Sequence, residues 1–350
     1  MPDTLDPNTS PLTRKLRDLA PLPFSAFMEK ALFDPDAGYY SKHISTVGRR
    51  GDFSTSPTLS PALARAVAGW LKKLWRENPA LPRDVIEIGA GDGSLAQGIL
   101  SNLGIFARRN LKYHIVEPSA PLVKKQLSML GQGRRCQWHH DMGQAMDQTG
   151  GKAIIISNEL VDAFPAELLQ WHAEDQCWCQ VLLDHDGTRW SPMPGNPVNL
   201  PAASSLLGKH DFATGQKVER HDSYLDWLSG WIPQWHMGEI LTIDYGDLFP
   251  DLYHRRPEGT LRAYFAQQRL ESLNEILSRP GRQDLTADVD FSDLRARSGP
   301  LGLLEIAFQT QLEFIAGQKI KAAPGDPATN PDGAGHAFKV LWQRRCSMAH

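Results

Sequence analysis

The sharpest chemical signal in the chain is the run Glu87-Ile88-Gly89-Ala90-Gly91-Asp92-Gly93-Ser94. Alternating glycines after an apolar stretch allow a tight turn and let a ligand approach the backbone closely. Gly91-Asp92-Gly93-Ser94-Leu95-Ala96 also fits the dinucleotide spelling G-x-G-x-x-G/A. The acids argue against a pyrophosphate. Asp92 stands in the turn that would cradle it, and Glu87 ends the preceding run. A carboxylate beside phosphate charges in a poorly solvated cleft is strongly repulsive. Both acids suit a cofactor with cationic groups. S-adenosylmethionine carries a sulfonium and an ammonium and no phosphate, so Glu87, Gly89, Gly91 and Gly93 become its candidate contacts and a nicotinamide cofactor is disfavoured.

Further acids fall where a second run of residues would end. Glu117 closes Tyr113-His114-Ile115-Val116 and can accept both hydroxyl protons of a ribose. Asp141 follows Cys136-Gln137-Trp138 and can take an adenine amino group, or serve as a plain surface acid. Ser157-Asn158-Glu159-Leu160-Val161-Asp162 follows the apolar run Ala153–Ile156. Asn158 and Glu159 would border the transferable methyl. Glu159 can hold a guanidinium or amine in line with it, which is catalysis by positioning, or it can simply satisfy a helix dipole. Asp162 is a third acceptor-side candidate. Near the start, Gly48-Arg49-Arg50-Gly51-Asp52-Phe53-Ser54-Thr55-Ser56-Pro57 reads either as an arm over the cofactor, with Thr55 and Ser56 donating, or as an ordinary loop.

These residues need a scaffold of alternating elements. Residues 24–33 and 59–77 have helical spacing, with Ser60 and Pro61 as a start signal for the second. Strands at 85–88, 113–117 and 153–156 then alternate with helices at 94–103 and 120–130, which predicts βαβ units and a parallel sheet. Residues 168–172 and 178–183 read as antiparallel additions, 191–215 as a loop, 218–235 as a Trp-rich helix, and 239–244 and 337–342 as further strands. The domain reading is an N-terminal helical arm over 1–80 and a core over 81–350 with insertions at about 165–235 and 247–300.

The composition excludes other classes. The chain has 350 residues, 41% of them hydrophobic, and a formal charge of −3, with no basic footprint for nucleic acid. The 29 glycines and 25 prolines predict many turns and argue against a helical bundle. Four scattered cysteines make no disulfide framework, and Cys177 and Cys179 lack the second pair of a zinc site, so no metal is expected. No apolar run has the length of a membrane span, and the acidic start resembles neither a secretory signal nor a mitochondrial presequence. The expected location is the cytoplasm.

Taken in order along the chain, these motifs resemble the MidA-type S-adenosylmethionine-dependent methyltransferases, which include the mitochondrial complex I assembly-factor arginine methyltransferases. The resemblance rests on Phe33-Asp34-Pro35 with Gly38-Tyr39-Tyr40, on Gly51-Asp52-Phe53 with Thr55-Ser56-Pro57, and on the glycine turn. It continues through Asn158–Ala163, Asp244-Tyr245-Gly246, Gly259-Thr260-Leu261-Arg262, Asp284–Phe291 and Phe338-Lys339-Val340-Leu341. It implies an α/β fold: a Rossmann-like class I methyltransferase core with a helical N-terminal arm and inserted antiparallel strands. It also implies that the Thr55-Ser56 arm, the glycine turn and Glu117 carry the cofactor, and that Asn158, Glu159 and Asp162 border the acceptor. The implied partner is a protein client with an exposed arginine, such as a respiratory complex I type subunit, and a homodimer is allowed. The sequence departs from the family at Thr58, where a glutamate is usual, at Leu63-Ala64-Arg65-Ala66, where Phe-Gly-Glu is usual, and at Gln267, where a histidine is common. These departures set a second reading beside the enzyme, a catalytically weak assembly chaperone that binds the cofactor.

Overall fold

Val85-Ile86, Ile115-Val116 and Ile154-Ile155-Ile156 offer apolar side chains to both faces of a strand, and in the structure all of them are buried. The computed structural model describes residues 10–43, 60–131, 135–208 and 211–346. The arm carrying Thr55 and Ser56, and the departure at Thr58, lie outside the described residues. The chain divides into two compact units. The first is drawn from Thr46–Leu160, Trp227–Gly246 and Ser298–His350, the second from Met1–Ser45, Val161–Asp226 and Asp247–Arg297.

The first unit holds α1 (Ala62–Glu77), β1 (Asp84–Ile88), α2 (Ser94–Asn102), β2 (Lys112–Val116), α3 (Ala120–Leu130) and β3 (Cys136–His139). After these come α4 (Met142–Thr149), β4 (Ile154–Asn158), β5 (Glu239–Asp247), β6 (Leu303–Thr310), α5 (Gln311–Gly317) and β7 (Phe338–Arg345). The strand order is β6-β7-β5-β4-β1-β2-β3. β3, β2, β1, β4 and β5 pair in parallel, and β7 runs antiparallel between β5 and β6. The chain steps outward from β1 to β3 and then returns to the other side of β1. That reversal opens a crevice beyond the carboxyl ends of β1 and β4, where ligands bind in open α/β sheets. It also places the ends of β1, β2 and β4, with Glu87, Glu117 and Asn158, on one edge of the sheet.

One face of the sheet is covered by α1, α2 and α5, which share a core of Leu63, Trp70, Leu95, Ile99 and Phe314 with Val85, Tyr113, Ile154 and Val340 of the strands. Ser60 Oγ accepts the amide proton of Ala62 at 3.0 Å, but the N-cap of α1 is Pro61, one residue later than its sequence suggested. β6 escaped the sequence reading. It is a half-exposed strand broken by a register shift at Glu305/Ala307, so its alternation is incomplete. Among the described residues, no helix is long and apolar enough to cross a membrane.

The second unit is built on an antiparallel sheet. Glu167–His172 pairs with Cys177–His185 and Lys217–Arg220, and Cys177–His185 also pairs with Leu22–Pro23 and Trp190–Pro197. The expected loop at 191–215 therefore begins as a strand. Its Pro192, Pro194 and Pro197 suit an edge, where missing amide protons cost the ladder nothing. The expected helix at 218–235 is shorter, Asp222–Trp231, because 217–220 is drawn into the sheet. Trp171, Trp178, Val218 and Tyr253 fill the core beneath. A second small sheet joins Arg262–Phe265 to Gln268–Leu270 and Asp284–Thr286.

The helices α1 and α2 approach so closely at Gly98 that a Cβ added there would lie 2.5 Å from the Cβ of Ala64. Overpacking of this kind costs about 1–3 kcal/mol. Gly98→Val should destabilise the protein by that amount in chemical denaturation, and Ala64→Gly in the same chain should restore part of the loss. An unchanged midpoint for Gly98→Val would show that the two helices separate freely.

Candidate active site

The turn after β1 takes a shape that its glycines permit. Gly89, Gly91 and Gly93 have φ of +66°, +55° and +90°, a region that side chains with a Cβ rarely enter. Gly93 is also the N-cap of α2. Asp92 turns back on its own loop, where Oδ1 accepts the amide proton of Ser94 at 2.9 Å. Glu87 is 2% exposed and receives the Tyr113 hydroxyl at 2.6 Å on Oε2. Burial drives its carboxyl up to about 8; the hydrogen bond from Tyr113 opposes this, while the charges of Asp92 and Glu117 push the same way. Its hydrogen-bond donor is a neutral phenol, which offsets only part of the cost of burying its charge.

Glu117, just beyond β2, is buried as well. Its Oε1 accepts the Ser119 amide proton at 3.0 Å and its Oε2 accepts a proton from Gln126 Nε2 at 3.2 Å. Burial raises this carboxyl to about 7, against both hydrogen bonds. Gln126 also donates to the carbonyl of Gly91 at 2.9 Å and accepts from Trp138 Nε1 at 3.0 Å. It thus ties the glycine turn to Glu117. The sequence reading missed Gln126. Its signal was a glutamine one turn after Leu122, on the apolar side of α3. Asp141 lies apart from this network as the exposed N-cap of α4, with Oδ1 accepting the Gln144 amide proton at 2.9 Å.

At the end of β4, Asn158 is buried and donates through Nδ2 to Glu159 Oε1 at 2.9 Å. Asn158 Oδ1 is buried without a hydrogen-bond partner among the described residues. Glu159 has φ of +54°, a conformation uncommon for any residue but glycine, asparagine or aspartate. Its backbone is clamped there. The amide of Glu159 donates to the Ile243 carbonyl at 2.9 Å, and that of Leu160 donates to the fully buried Asp244 at 3.1 Å. Asp244 therefore buttresses the turn that presents Glu159, a role its place in a family motif had not revealed.

Asp162 is described with the second unit. It is buried in a short 3-10 turn, and its carbonyl accepts the amide proton of Ala287 at 3.0 Å. Burial lifts its carboxyl to about 7, with Arg262 pulling it down and Asp288 pushing it up. Two of the departures now have a setting. Leu63, Ala64 and Ala66 are core residues of α1. Gln267 is exposed at a hairpin tip, where Ala266 and Gln267 both have positive φ.

The carboxyl edge of the sheet thus presents left-handed glycines, buried carboxyl groups whose pKa burial raises, and an amide oxygen with no partner among the described residues. A ligand bringing positive charge and hydrogen-bond donors fits this set, and a pyrophosphate does not. Comparison with known proteins agrees. A sequence profile described as "Putative S-adenosyl-L-methionine-dependent methyltransferase" matches residues 66–303. A Danio rerio protein named protein arginine methyltransferase NDUFAF7, mitochondrial, is 28% identical over 325 residues, covering 82% of this chain and 71% of the relative. The Drosophila melanogaster homolog of that name is 27% identical over 329 residues, covering 81% and 68%. A Burkholderia thailandensis protein solved with S-adenosyl-homocysteine bound superposes with a TM-score of 0.82 at 25% identity, covering 100% of this chain and 96% of that one. The strand order is that of a Rossmann-like class I core, the cofactor is S-adenosyl-L-methionine, and the chain belongs to this family of S-adenosyl-L-methionine-dependent methyltransferases.

Proposed function

We propose that the protein methylates a guanidinium nitrogen of arginine in a client protein. The observation that carries this reading is the pairing at the end of β4. The carboxylate of Glu159 stands beside a buried Asn158 Oδ1 that has no partner among the described residues. A guanidinium has five N–H donors in a planar fork and no acceptor, so it answers two neighbouring acceptors better than a hydroxyl or a thiol does. The names of the relatives point the same way.

In this reading Glu87, Gly89, Gly91 and Gly93 hold the methionine end of the cofactor. Glu117 takes the ribose hydroxyls and Asp141 the adenine amino group, with Thr55 and Ser56 as further cofactor donors. S-adenosylmethionine supplies an electrophilic methyl when bound. Glu159 and Asn158 align the acceptor nitrogen, and Glu159 accepts the proton that this nitrogen must lose as it gains the methyl. Asp162 is a further acceptor-side candidate. The segments outside the sheet, within 1–80 and at about 165–235 and 247–300, are read as acceptor-recognition additions to the core over 81–350. A complex I type subunit is the first client to test. The proposed compartment is a reducing one, the cytoplasm in the simplest case, and the relatives are named mitochondrial.

Labelled-methyl S-adenosylmethionine, added with the protein to a lysate of cells that lack it, should mark a client on arginine, as read by mass spectrometry of the labelled band. Label on another residue type, or none, would overturn the arginine reading. Glu159→Gln should lower kcat by about a hundredfold or more while leaving cofactor affinity within roughly twofold; an unchanged kcat would remove Glu159 from the mechanism. A cationic ligand favours the ionised form of Glu87, whose carboxyl stands at about 8 in the free protein. Binding should therefore release protons at pH 7, and affinity should climb with pH until it levels above about 8. Calorimetry in buffers of different ionisation enthalpy measures the release, which Glu87→Gln should diminish.

A further inference from the structure

We infer that Gln126 is a positioning residue of the cofactor site, holding the Glu117 carboxylate and the glycine turn in fixed relation to one another. The inference rests on the reading of Glu117 as the ribose acceptor. The buried residues of α3 are Leu122 and Gln126, and Gln126 is fully buried. A primary amide in a core is unfavourable unless its polar atoms are bonded. Here they are. Nε2 donates to Gly91 O at 2.9 Å and to Glu117 Oε2 at 3.2 Å, and Oε1 accepts from Trp138 Nε1 at 3.0 Å.

The orientation of the amide follows from chemistry. An indole nitrogen only donates, so the atom facing Trp138 is the oxygen. The NH2 group must then face a carbonyl and a carboxylate, both of which need donors. One side chain thereby links the turn after β1, the acid after β2 and the indole on β3. Contact reinforces the link: a Cβ added to Gly93 would lie 3.5 Å from Gln126 Cγ and 3.6 Å from its Cα. Without the amide, Glu117 keeps the Ser119 amide as donor but loses the one that holds its second oxygen.

A glutamine that merely filled space would, on removal, weaken cofactor binding equally at every pH. A glutamine that holds Glu117 in its ionised form leaves a different trace. Removing a donor to a carboxylate raises its pKa, so the loss should be greatest in mild acid and fade as pH rises. The test is calorimetric binding of S-adenosyl-homocysteine between pH 6 and pH 9 to full-length Gln126→Met, a near match in volume, with thermal unfolding as a fold control. Dissociation constants about tenfold to a hundredfold above wild type are expected at pH 7, the size of a lost hydrogen bond to a charged group, and the ratio should narrow toward pH 9. Trp138→Phe, which removes only the donor that orients the amide, should give the same trend in smaller measure, and it decides the matter if Gln126→Met does not fold. An unchanged affinity, or a loss constant across pH, overturns the inference. Glu117→Gln separates the two claims. If it binds as wild type, the ribose reading fails. If it binds weakly while Gln126→Met binds normally, only the role of Gln126 fails.

Discussion

The carboxyl-terminal edge of the parallel sheet depends on carboxyl groups held almost entirely away from water. Glu87 and Glu117 sit at the ends of parallel strands, nearly sealed, and receive hydrogen bonds from a phenol, an amide nitrogen and a backbone N–H. Desolvation opposes their charge, and those neutral donors return only part of the loss. The site is therefore electrostatically incomplete, and the sheet keeps it so. The strands that carry these acids lie within an apolar parallel sheet, and hydrogen bonds from Tyr113 and Gln126 hold them in place.

The second unit also buries acids, within a denser set of hydrogen bonds. Glu219 accepts the amide protons of Thr260 and Leu261 at 2.8 and 3.2 Å and the Thr260 hydroxyl at 2.8 Å. A Cβ on Gly259 would lie 2.2 Å from Glu219 Oε1. Arg262 closes on Asp288, whose amide donates to Thr260 Oγ1 at 3.0 Å. The Gly259-Thr260-Leu261-Arg262 motif is thus a folding device built around buried ions. The same holds near the amino terminus. Asp34 accepts the amide protons of Asp36 and Ala37, each at 3.0 Å, and a Cβ on Gly38 would lie 2.5 Å from the Asp34 amide nitrogen. Several motifs that mark the family therefore shape the backbone.

What could be read from the sequence follows from how local each signal is. The runs Val85–Ile88 and Ile154–Ile156 are β-branched and continuous, and they were legible as buried strands without any partner in view. The glycine turn was legible because its acids contradict a phosphate ligand, a conflict visible within eight residues. β6 was not legible, because an edge strand with one half-exposed face and a register shift lacks a clean period. The strand from Trp190 to Pro197 hid behind its prolines, which exclude a central strand but not an edge one. Gln126 and Asp244 were missed for a further reason. Their importance lies in what they touch, the residues 91, 117, 138 and 160, and no local pattern reports such contacts.

The left-handed backbone at Glu159 carries an evolutionary consequence. A side chain in that region costs of order 1–3 kcal/mol, and glycine would adopt it with ease. Backbone conformation alone therefore favours glycine over glutamate here, so on the proposed reading it is the carboxylate that the position is for. Selection for thermal stability without selection for turnover would drift toward glycine at this position and yield a well-folded protein without the carboxylate proposed to meet the acceptor. If the proposed role holds, robustness and function draw on opposite preferences at a single residue, and stabilising the scaffold means holding position 159 fixed.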